Sequence, residues 1–300
     1  MIRVGVVGAR GHVGGELLPM LARHPEVTVA WATSRTEAGK ETHAVTLRAS
    51  DPSLLKTDPV DVVILALPNG QSAPWTSEAG NALVLDLSAD HRFDDTWVYG
   101  QPDRFRSRIE AAKRIAVPGC YATAAQLSVA PILDWVEGRA HFFGVSGYSG
   151  AGTTKSERND PEALRDNVIP YALVGHVHER ELCRHGVPAF FVPHVASFFR
   201  GLVVTASVAF RAPVEKETLD RQFQRAYAGS RFVTLTTEPP RPRDLVETHG
   251  VSIGGLALSE DRQHAVVVAA LDNLLGGAAS QAVRAMNVAL GLDEALGVLS

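Results

Sequence analysis

The chain has little cysteine and no excess of positive charge. Its two cysteines, Cys120 and Cys183, are too few for a disulfide scaffold and fit a reducing compartment. The formal net charge of -4 lacks the basic footprint of a nucleic-acid-binding protein. We therefore expect no nucleic-acid partner.

Long apolar segments are missing as well. No apolar run approaches the ~18 residues that a membrane-spanning helix needs, so we expect no membrane partner. Residues 1–8 enter a strand pattern directly, without the charged, apolar and small-residue regions of a signal peptide. These absences predict a cytoplasmic protein, and a chain of 300 residues is long enough for two domains.

What the chain has is a glycine-rich turn near its start. Residues 2–7 form an apolar run typical of a strand buried on both faces, and a helical pattern covers 15–22. Gly8, Gly11 and Gly14 lie between them with the spacing G-x-x-G-x-x-G. Such glycines permit a tight turn and the close approach of a pyrophosphate to the helix N-terminus. A glycine-rich turn without a ligand is the alternative, because the spacing differs from G-x-G-x-x-G.

The end of the next predicted strand, 27–32, indicates which dinucleotide would bind. An NAD-specific site usually carries Asp or Glu there, to hold the ribose hydroxyls. Here Ser34 and Arg35 stand in that region and could hold a 2′-phosphate, which favours NADP. The alternative is an exposed arginine in a loop.

Two further predicted strands, 62–67 and 83–87, are followed by loops that are candidates for the site. Ligands of parallel sheets bind at the carboxyl ends of the strands. In the second loop, 88–92, Arg92 could hold an anionic substrate group with its guanidinium fork, or it is a solvated surface arginine.

A cysteine at a turn is the strongest chemical signal. Pro118 and Gly119 interrupt the strand-like run 115–117, and a helix is predicted over 123–133. Cys120 is thus expected at or just before a helix N-terminus, where N–H groups and the helix dipole favour a nucleophilic thiolate. A buried cysteine acting as a small apolar side chain is the alternative.

Beyond this turn the pattern changes. Strand-like segments rich in Val, Ile and Phe cover residues 142–145, 190–192, 202–210, 251–258 and 265–271. They predict a mixed or antiparallel sheet in a second domain of α+β character. A small-residue loop, 146–153, would let backbone approach a ligand closely.

A histidine cluster follows at His176 and His178, with Glu181 nearby. A histidine near a cysteine can take its proton and later protonate an alkoxide, and a carboxylate three residues beyond a histidine can orient the ring. A metal site is one alternative, but the local histidines and Cys183 fit no common zinc spacing. A solvated loop is the other.

Together these blocks resemble one family, the N-acetyl-γ-glutamyl-phosphate reductases among the semialdehyde dehydrogenases, over nearly the whole chain. The resemblance is carried by segments 8–14, 33–40, 86–92, 118–124, 149–152, 176–181, 272–274 and 277–279. Gly276 departs from it, because lysine is usual there.

The resemblance implies an α/β protein with a Rossmann-type parallel-sheet domain (1–118 plus 278–300) and an α+β catalytic and dimerisation domain with a mixed sheet (119–277). It implies NADPH-dependent reduction of N-acetyl-γ-glutamyl phosphate through a thioacyl intermediate on cysteine, in a homodimer or homotetramer. A related acyl-phosphate reductase, acting on aminoadipyl or aspartyl phosphate, is the alternative enzyme. A non-catalytic NADP-binding regulator and a cysteine hydrolase are alternatives from other classes.

The resemblance and the residue patterns together indicate which residues form the site. The catalytic residues are Cys120, His176, His178 and Glu181, with His176 preferred as the acid–base group and Glu181 as the residue that holds its ring. The cofactor-binding residues are Gly8, Arg10, Gly11, His12, Val13, Gly14, Ser34, Arg35, Ser149, Gly150 and Asn273. The substrate-binding residues are Ser88, Arg92 and Arg200, and no metal is expected.

Overall fold

The computed structural model describes residues 1–299, which divide into two compact units. The first unit contains residues 1–119 and the segment that starts at Ala278, and the second contains Cys120–Gly277. The boundary lies one residue later than the sequence suggests, because Gly119 belongs to the first unit. No helix among the described residues is both long enough and apolar enough to cross a membrane.

The first unit is built on an eight-stranded sheet in the order β3-β4-β2-β1-β5-β6-β8-β7. The strands are β1 (Ile2–Val7), β2 (Val27–Ser34), β3 (Glu41–Thr42), β4 (Val45–Ala49), β5 (Val62–Leu65), β6 (Leu83–Asp86), β7 (Val98–Tyr99) and β8 (Arg114–Ala116). All neighbours pair in parallel except β3 with β4. The predicted parallel-sheet domain is confirmed, and β5 and β6 are buried along their whole length, as their apolar sequences require.

Four helices of this unit come before the cysteine turn: α1 (His12–Ala22), α2 (Leu54–Thr57), α3 (Ala73–Glu78) and α4 (Pro102–Ile109). Helix α1 starts three residues earlier than its sequence pattern indicates, directly after Gly11. The helix therefore begins inside the glycine-rich turn.

The second unit is built on a seven-stranded mixed sheet in the order β10-β11-β9-β12-β15-β14-β13. Its strands are β9 (Val136–Gly147), β10 (Val168–Pro170), β11 (Ala189–Ala196), β12 (Leu202–Phe210), β13 (Val233–Leu235), β14 (Val251–Leu258) and β15 (His264–Leu271). Two pairs are parallel, β11 with β9 and β13 with β14, and the others are antiparallel. The mixed sheet is as predicted.

The helices of the second unit are α5 (Cys120–Val129), α6 (Val177–Arg184) and α7 (Lys216–Ala226). Helix α5 packs on β12 and β15, and its first residue is Cys120. The predicted helix 123–133 was wrong at both ends: the α-helix stops at Val129 and continues as a 3₁₀ helix over Ala130–Trp135. Pro131 explains this end, because it has no N–H to continue the helical hydrogen bonds.

The side of this sheet away from the helices is partly apolar. Phe142 and Phe191 are buried, while their neighbours Phe143 and Phe190 point to the other side and are 50% and 46% exposed. Successive side chains of a strand alternate between faces, so this second face of the sheet is open. Arg139 covers the ring of Phe190 at 4.8 Å.

The last helix, α8 (Ser280–Ala289), belongs to the first unit and packs on α1 and α4. Its Arg284 is buried and pairs with Asp103 at 2.9 Å and with Glu294 at 2.6 Å. His24 and Asn287 are joined by a buried hydrogen bond of 2.9 Å. Because buried charges need such partners, these contacts fix the end of the chain on this unit.

Candidate active site

The glycine-rich turn has the backbone geometry of a phosphate-binding turn. Gly8 has a φ of +81°, and a Cβ there would lie 2.3 Å from the carbonyl oxygen of Ala66. At Gly14 a Cβ would lie 2.3 Å from the carbonyl oxygen of Gly8, so both positions require glycine. Gly11 caps α1 without a side chain, which leaves room for a pyrophosphate at the helix N-terminus. The residues present fit a dinucleotide.

The side chains of the turn differ in their surroundings. His12 is the first residue of α1, and burial lowers its pKa while Glu16 opposes this, so the ring is neutral at pH 7. Val13 is half-buried. The exposed Arg10 makes an ion pair of 2.7 Å with Glu37.

At the end of β2, Ser34 is buried and holds the turn that follows it. Its Oγ accepts the backbone N–H groups of Thr36 at 3.3 Å and Glu37 at 3.2 Å. Arg35 is exposed. Glu37 was not predicted from the sequence, because its carboxylate does not follow the strand directly; the fold of the turn brings it to Arg10.

The loops after β5 and β6, both candidates for the site, contact each other. The carboxylate of Asp90 accepts the N–H of Gly70 at 2.6 Å and the hydroxyl of Ser72 at 2.7 Å. Ser88 donates its hydroxyl to Asp86 at 2.8 Å. Burial raises the pKa of Asp86, and its hydrogen bonds with Ser88 oppose this.

Arg92 is buried, not a solvated surface residue. Its Nε donates to the carbonyl oxygen of Val117 at 2.9 Å, and its Nη2 donates to that of Leu87 at 2.8 Å. These bonds tie the loop of Arg92 to the strand end just before the cysteine turn. They also use some of the five N–H donors of the guanidinium group that could bind an anion.

In the second unit, Cys120 is half-buried at the first position of α5. The first N–H groups of a helix have no partner within the helix, and its dipole is positive there. Both effects stabilise a thiolate. A Cβ at Gly277 would lie 2.6 Å from the Cβ of Cys120, so glycine at 277 makes room for the cysteine.

Two tyrosines lie near the cysteine, the buried Tyr121 and the half-buried Tyr171. The hydroxyl of Tyr121 donates to the carbonyl oxygen of His194 at 2.6 Å. Burial raises the pKa of Tyr171 far above its usual value, and a thiolate at Cys120 would add to this. Both phenols are therefore neutral O–H groups. Tyr171 was missed from the sequence, because no pattern in its segment distinguishes it.

His176 is the N-cap of α6. Its Nδ1 accepts the N–H of His178 at 3.2 Å, so the neutral ring carries its proton on Nε2. Burial lowers the pKa of His176 to about 4; Arg158 lowers it as well, and Glu179 opposes this. Its ring also contacts Tyr171 edge-on, with 5.4 Å between ring centroids. At pH 7 His176 is a neutral donor through Nε2.

Glu181 lies beside His178. The Nε2 of His178 is 3.9 Å from a carboxylate oxygen of Glu181, which is completely buried. The ring of His178 also packs edge-on against Tyr121, with 5.7 Å between centroids. His176 thus forms the N-cap of α6, and Glu181 is a neighbour of His178.

The predicted residues of the small-residue loop are linked to one another. Asn273 donates to the hydroxyl of Ser149 at 2.9 Å and accepts the N–H of Gly201 at 2.7 Å. A Cβ at Gly150 would lie 3.0 Å from the Oγ of Ser146. Asn273 thus fixes the loop that carries Ser149 and Gly150.

Arg200 is held by Asp272. Its Nε lies 2.7 Å from one carboxylate oxygen and its Nη2 donates to the other at 3.2 Å. Asp272 also accepts the N–H groups of Leu274 and Leu275. At Gly276 a Cβ would lie 2.7 Å from the carbonyl oxygen of Gly250, so this backbone has no room for the lysine usual in the family.

The described residues contain no group of three or more His, Cys, Asp or Glu side chains able to hold a metal ion. The chain matches two family models. Residues 3–112 match the semialdehyde dehydrogenase NAD binding domain, and residues 120–273 match the semialdehyde dehydrogenase dimerisation domain. The chain belongs to the semialdehyde dehydrogenases, a class of oxidoreductases that use a nicotinamide cofactor.

Relatives with curated names show which family within this class the chain belongs to. N-acetyl-gamma-glutamyl-phosphate reductase of Xanthomonas axonopodis pv. citri is 44% identical, with 98% of each chain covered. The enzyme of that name from Stenotrophomonas maltophilia is 45% identical over 97% of this chain and 96% of its own. Within the semialdehyde dehydrogenases, the chain belongs to the N-acetyl-γ-glutamyl-phosphate reductase family, and the resemblance seen in the sequence is confirmed.

Solved structures agree on the fold. Aspartate semialdehyde dehydrogenase II of Vibrio cholerae has a TM-score of 0.79 at 19% identity, with 97% of this chain and 98% of that one covered. Aspartate semialdehyde dehydrogenase from Candida albicans, solved with NADP, has a TM-score of 0.75 at 16% identity, with 97% and 99% covered. The α/β fold with its mixed second sheet is confirmed.

Proposed function

We propose that this chain reduces N-acetyl-γ-glutamyl phosphate to N-acetylglutamate 5-semialdehyde and phosphate, with NADPH as reductant, as a step of arginine biosynthesis. The observation that carries the proposal is the position of Cys120, at the first residue of α5 with Gly277 beside it. The support for this substrate is the 42–45% identity to reductases of that name over nearly the full chain.

Cys120 acts as the nucleophile. Its thiolate attacks the acyl carbon, the C–O bond to the phosphoryl group breaks, and phosphate leaves with the bonding electrons. The product of this step is a thioester on Cys120. A nicotinamide cofactor, when bound, would supply the hydride that reduces this thioester. The thiohemiacetal on Cys120 then releases the aldehyde and regenerates the thiolate.

His176 is the acid–base residue toward the cysteine and the oxygen of the thiohemiacetal. The cap hydrogen bond keeps the proton of the neutral ring on Nε2, so that Nε2 can donate a hydrogen bond to this oxygen. Acting as a base at Nε2 would need the other tautomer and would break the cap. His178, with Glu181 beside it, supports His176 through their ring contact.

The first unit binds NADP, and the second is the catalytic and dimerisation domain. The residues that would hold the nucleotide are those of the glycine-rich turn, with Ser34 and Arg35 for the 2′-phosphate. Ser149, Gly150 and Asn273 complete the proposed set. Ser88, Arg92 and Arg200 are proposed to bind the substrate, with Arg92 directed to its phosphoryl group.

We also propose a homodimer or homotetramer assembled through the open face of the seven-stranded sheet. The support is the exposure of Phe143 and Phe190 on that face and the match of this unit to a dimerisation domain. Exposed aromatic side chains on an open sheet face are typical of an interface.

The test follows the reaction in reverse by absorbance, as NADPH formed from NADP, phosphate and an aldehyde. N-acetylglutamate 5-semialdehyde is expected to be the best substrate, well above aspartate semialdehyde and aminoadipate semialdehyde. The matched control is Cys183→Ser, which changes the exposed cysteine and is expected to keep full activity. Preference for either of the other aldehydes would contradict the proposed substrate.

A further inference from the structure

Two cations converge on one carboxylate beside the end of β2. Glu37 binds Nε of Arg10 at 2.7 Å through one oxygen and Nζ of Lys40 at 3.1 Å through the other. Arg10 and Lys40 are mostly exposed, whereas the side chain of Glu37 is only 22% exposed. The hydrogen bond from Lys40 is the main cause that lowers the pKa of Glu37, and Arg10 adds to it. Glu37 is thus ionised at neutral pH.

The backbone keeps this carboxylate next to Ser34. The N–H of Glu37 donates to the Oγ of Ser34, and its carbonyl oxygen accepts the N–H of Lys40 at 3.1 Å. The N–H of Gly39 donates a hydrogen bond of 2.7 Å to the carbonyl oxygen of Leu47 in the neighbouring strand β4. The turn is therefore fixed at both ends, and Glu37 forms ion pairs with both Arg10 and Lys40.

We propose that Glu37 is a cofactor-specificity residue that holds Arg10 and Lys40 until the 2′-phosphate of NADP takes them over. This inference rests on the proposed preference for NADP. A phosphate dianion attracts the two cations more strongly than one carboxylate does, but it is repelled by that carboxylate. Glu37 therefore weakens the binding of the phosphorylated nucleotide and has no such effect on NADH.

The opposite role is physically possible for the same residue. A carboxylate that follows the second strand of a Rossmann fold commonly accepts hydrogen bonds from the ribose hydroxyls of NAD. In that role, Glu37 would strengthen the binding of NADH. The two roles predict opposite effects for a single substitution.

The test is Glu37→Gln, with dissociation constants measured by calorimetry for NADPH, NADH and 2′-AMP, a probe that carries the 2′-phosphate without nicotinamide. We expect NADPH and 2′-AMP to bind about two- to fivefold more tightly, the range expected for release of exposed ion pairs, and NADH to be unchanged. The gain should shrink at about 1 M salt. Glu41→Gln, which removes an equal charge from the exposed Glu41, is expected to change none of these constants.

A double-mutant cycle with Arg10→Ala completes the experiment. Without Arg10, the gain from Glu37→Gln should become smaller, because one of the two released cations is gone. Weaker NADH binding by Glu37→Gln, or no change for any nucleotide, would overturn the role of Glu37. The unsubstituted protein tests the proposed function separately, because equal affinity for NADPH and NADH would contradict the NADP preference whatever Glu37 does.

Discussion

A Cβ on Gly277 would lie 2.6 Å from the Cβ of Cys120, closer than two such atoms can approach. Glycine is thus required at 277 because a side chain there would collide with the proposed nucleophile. The backbone angle φ of residue 277 does not itself require glycine. The same Cβ would also lie 3.1 Å from Cδ1 of Leu271, so it could not move away without further contacts. The thiol of Cys120 can occupy its position only because residue 277, distant in the sequence, has no side chain.

Gly277→Ala is therefore expected to displace Cys120 and to lower kcat by at least about tenfold, since misplacement of a reacting group by about 1 Å can cost ~10²-fold. NADPH binding should remain. Steady-state kinetics and a nucleotide titration check both expectations. Gly15→Ala is the control: a Cβ there meets nothing within 4 Å, and alanine in a helix should raise stability slightly. Unchanged kcat in Gly277→Ala would contradict this account of the site.

His176→Asn is expected to slow turnover by ~10²–10⁴-fold, the usual contribution of an acid–base residue. Asparagine is also a good N-cap, so α6 should be retained and cofactor affinity should hardly change. Steady-state rates of this variant and of His178→Asn decide the assignment. A larger loss in His178→Asn would exchange the two roles.

The pH dependence gives a second measurement for His176. Its pKa, about 4 in the folded chain, lies below the ordinary 6.5, so the unfolded chain binds more protons between these values. Folding stability should therefore fall as the pH is lowered from about 6.5 to 4. In His176→Asn this part of the loss should disappear, as measured by denaturant unfolding at several pH values.

The sequence predicted the two turns well, because both depend on local backbone chemistry. Gly8 and the pair Pro118–Gly119 interrupt the chain after strands β1 and β8, as the structure shows, whereas Gly14 lies within α1. The spacing of three residues also indicates the pairing of His178 with Glu181, whereas the assignment of Glu181 to His176 came from the resemblance. The observed pairing depends on where α6 begins, and His176 turned out to lie before its first turn.

Contacts between segments distant in sequence were also missed. Glu37 reaches Arg10 only because the turn after β2 folds over Ser34, and Tyr171 lies in a segment without periodicity. These features are set by tertiary structure.

Arg35→Ala is expected to weaken NADPH binding about tenfold or more, the range for a lost hydrogen bond to a charged group, and to leave NADH binding nearly unchanged. Titration of both nucleotides gives the two dissociation constants. Arg243→Ala, at an exposed arginine of the second unit, controls for the change of net charge. An equal loss for both nucleotides would show that Arg35 does not recognise the 2′-phosphate.

Arg92→Lys is expected to raise the apparent KM for phosphate in the reverse reaction, because a lysine lacks the planar fork that fits phosphate. A lysine also cannot reproduce both hydrogen bonds, to Val117 and to Leu87. A fall in kcat with an unchanged KM for phosphate would mean that Arg92 only positions the strand end, and would make Arg200 the next candidate for the phosphoryl group.

The central claim, that Cys120 becomes acylated, is tested most directly by intact mass after incubation with N-acetyl-γ-glutamyl phosphate without cofactor. We expect an adduct of one N-acetylglutamyl group, located on Cys120 by peptide mapping and absent from Cys120→Ser, which should still bind NADPH but not turn over. NADPH should discharge the adduct as the semialdehyde. An adduct-free protein that turns over, or full activity in Cys120→Ser, would contradict the account.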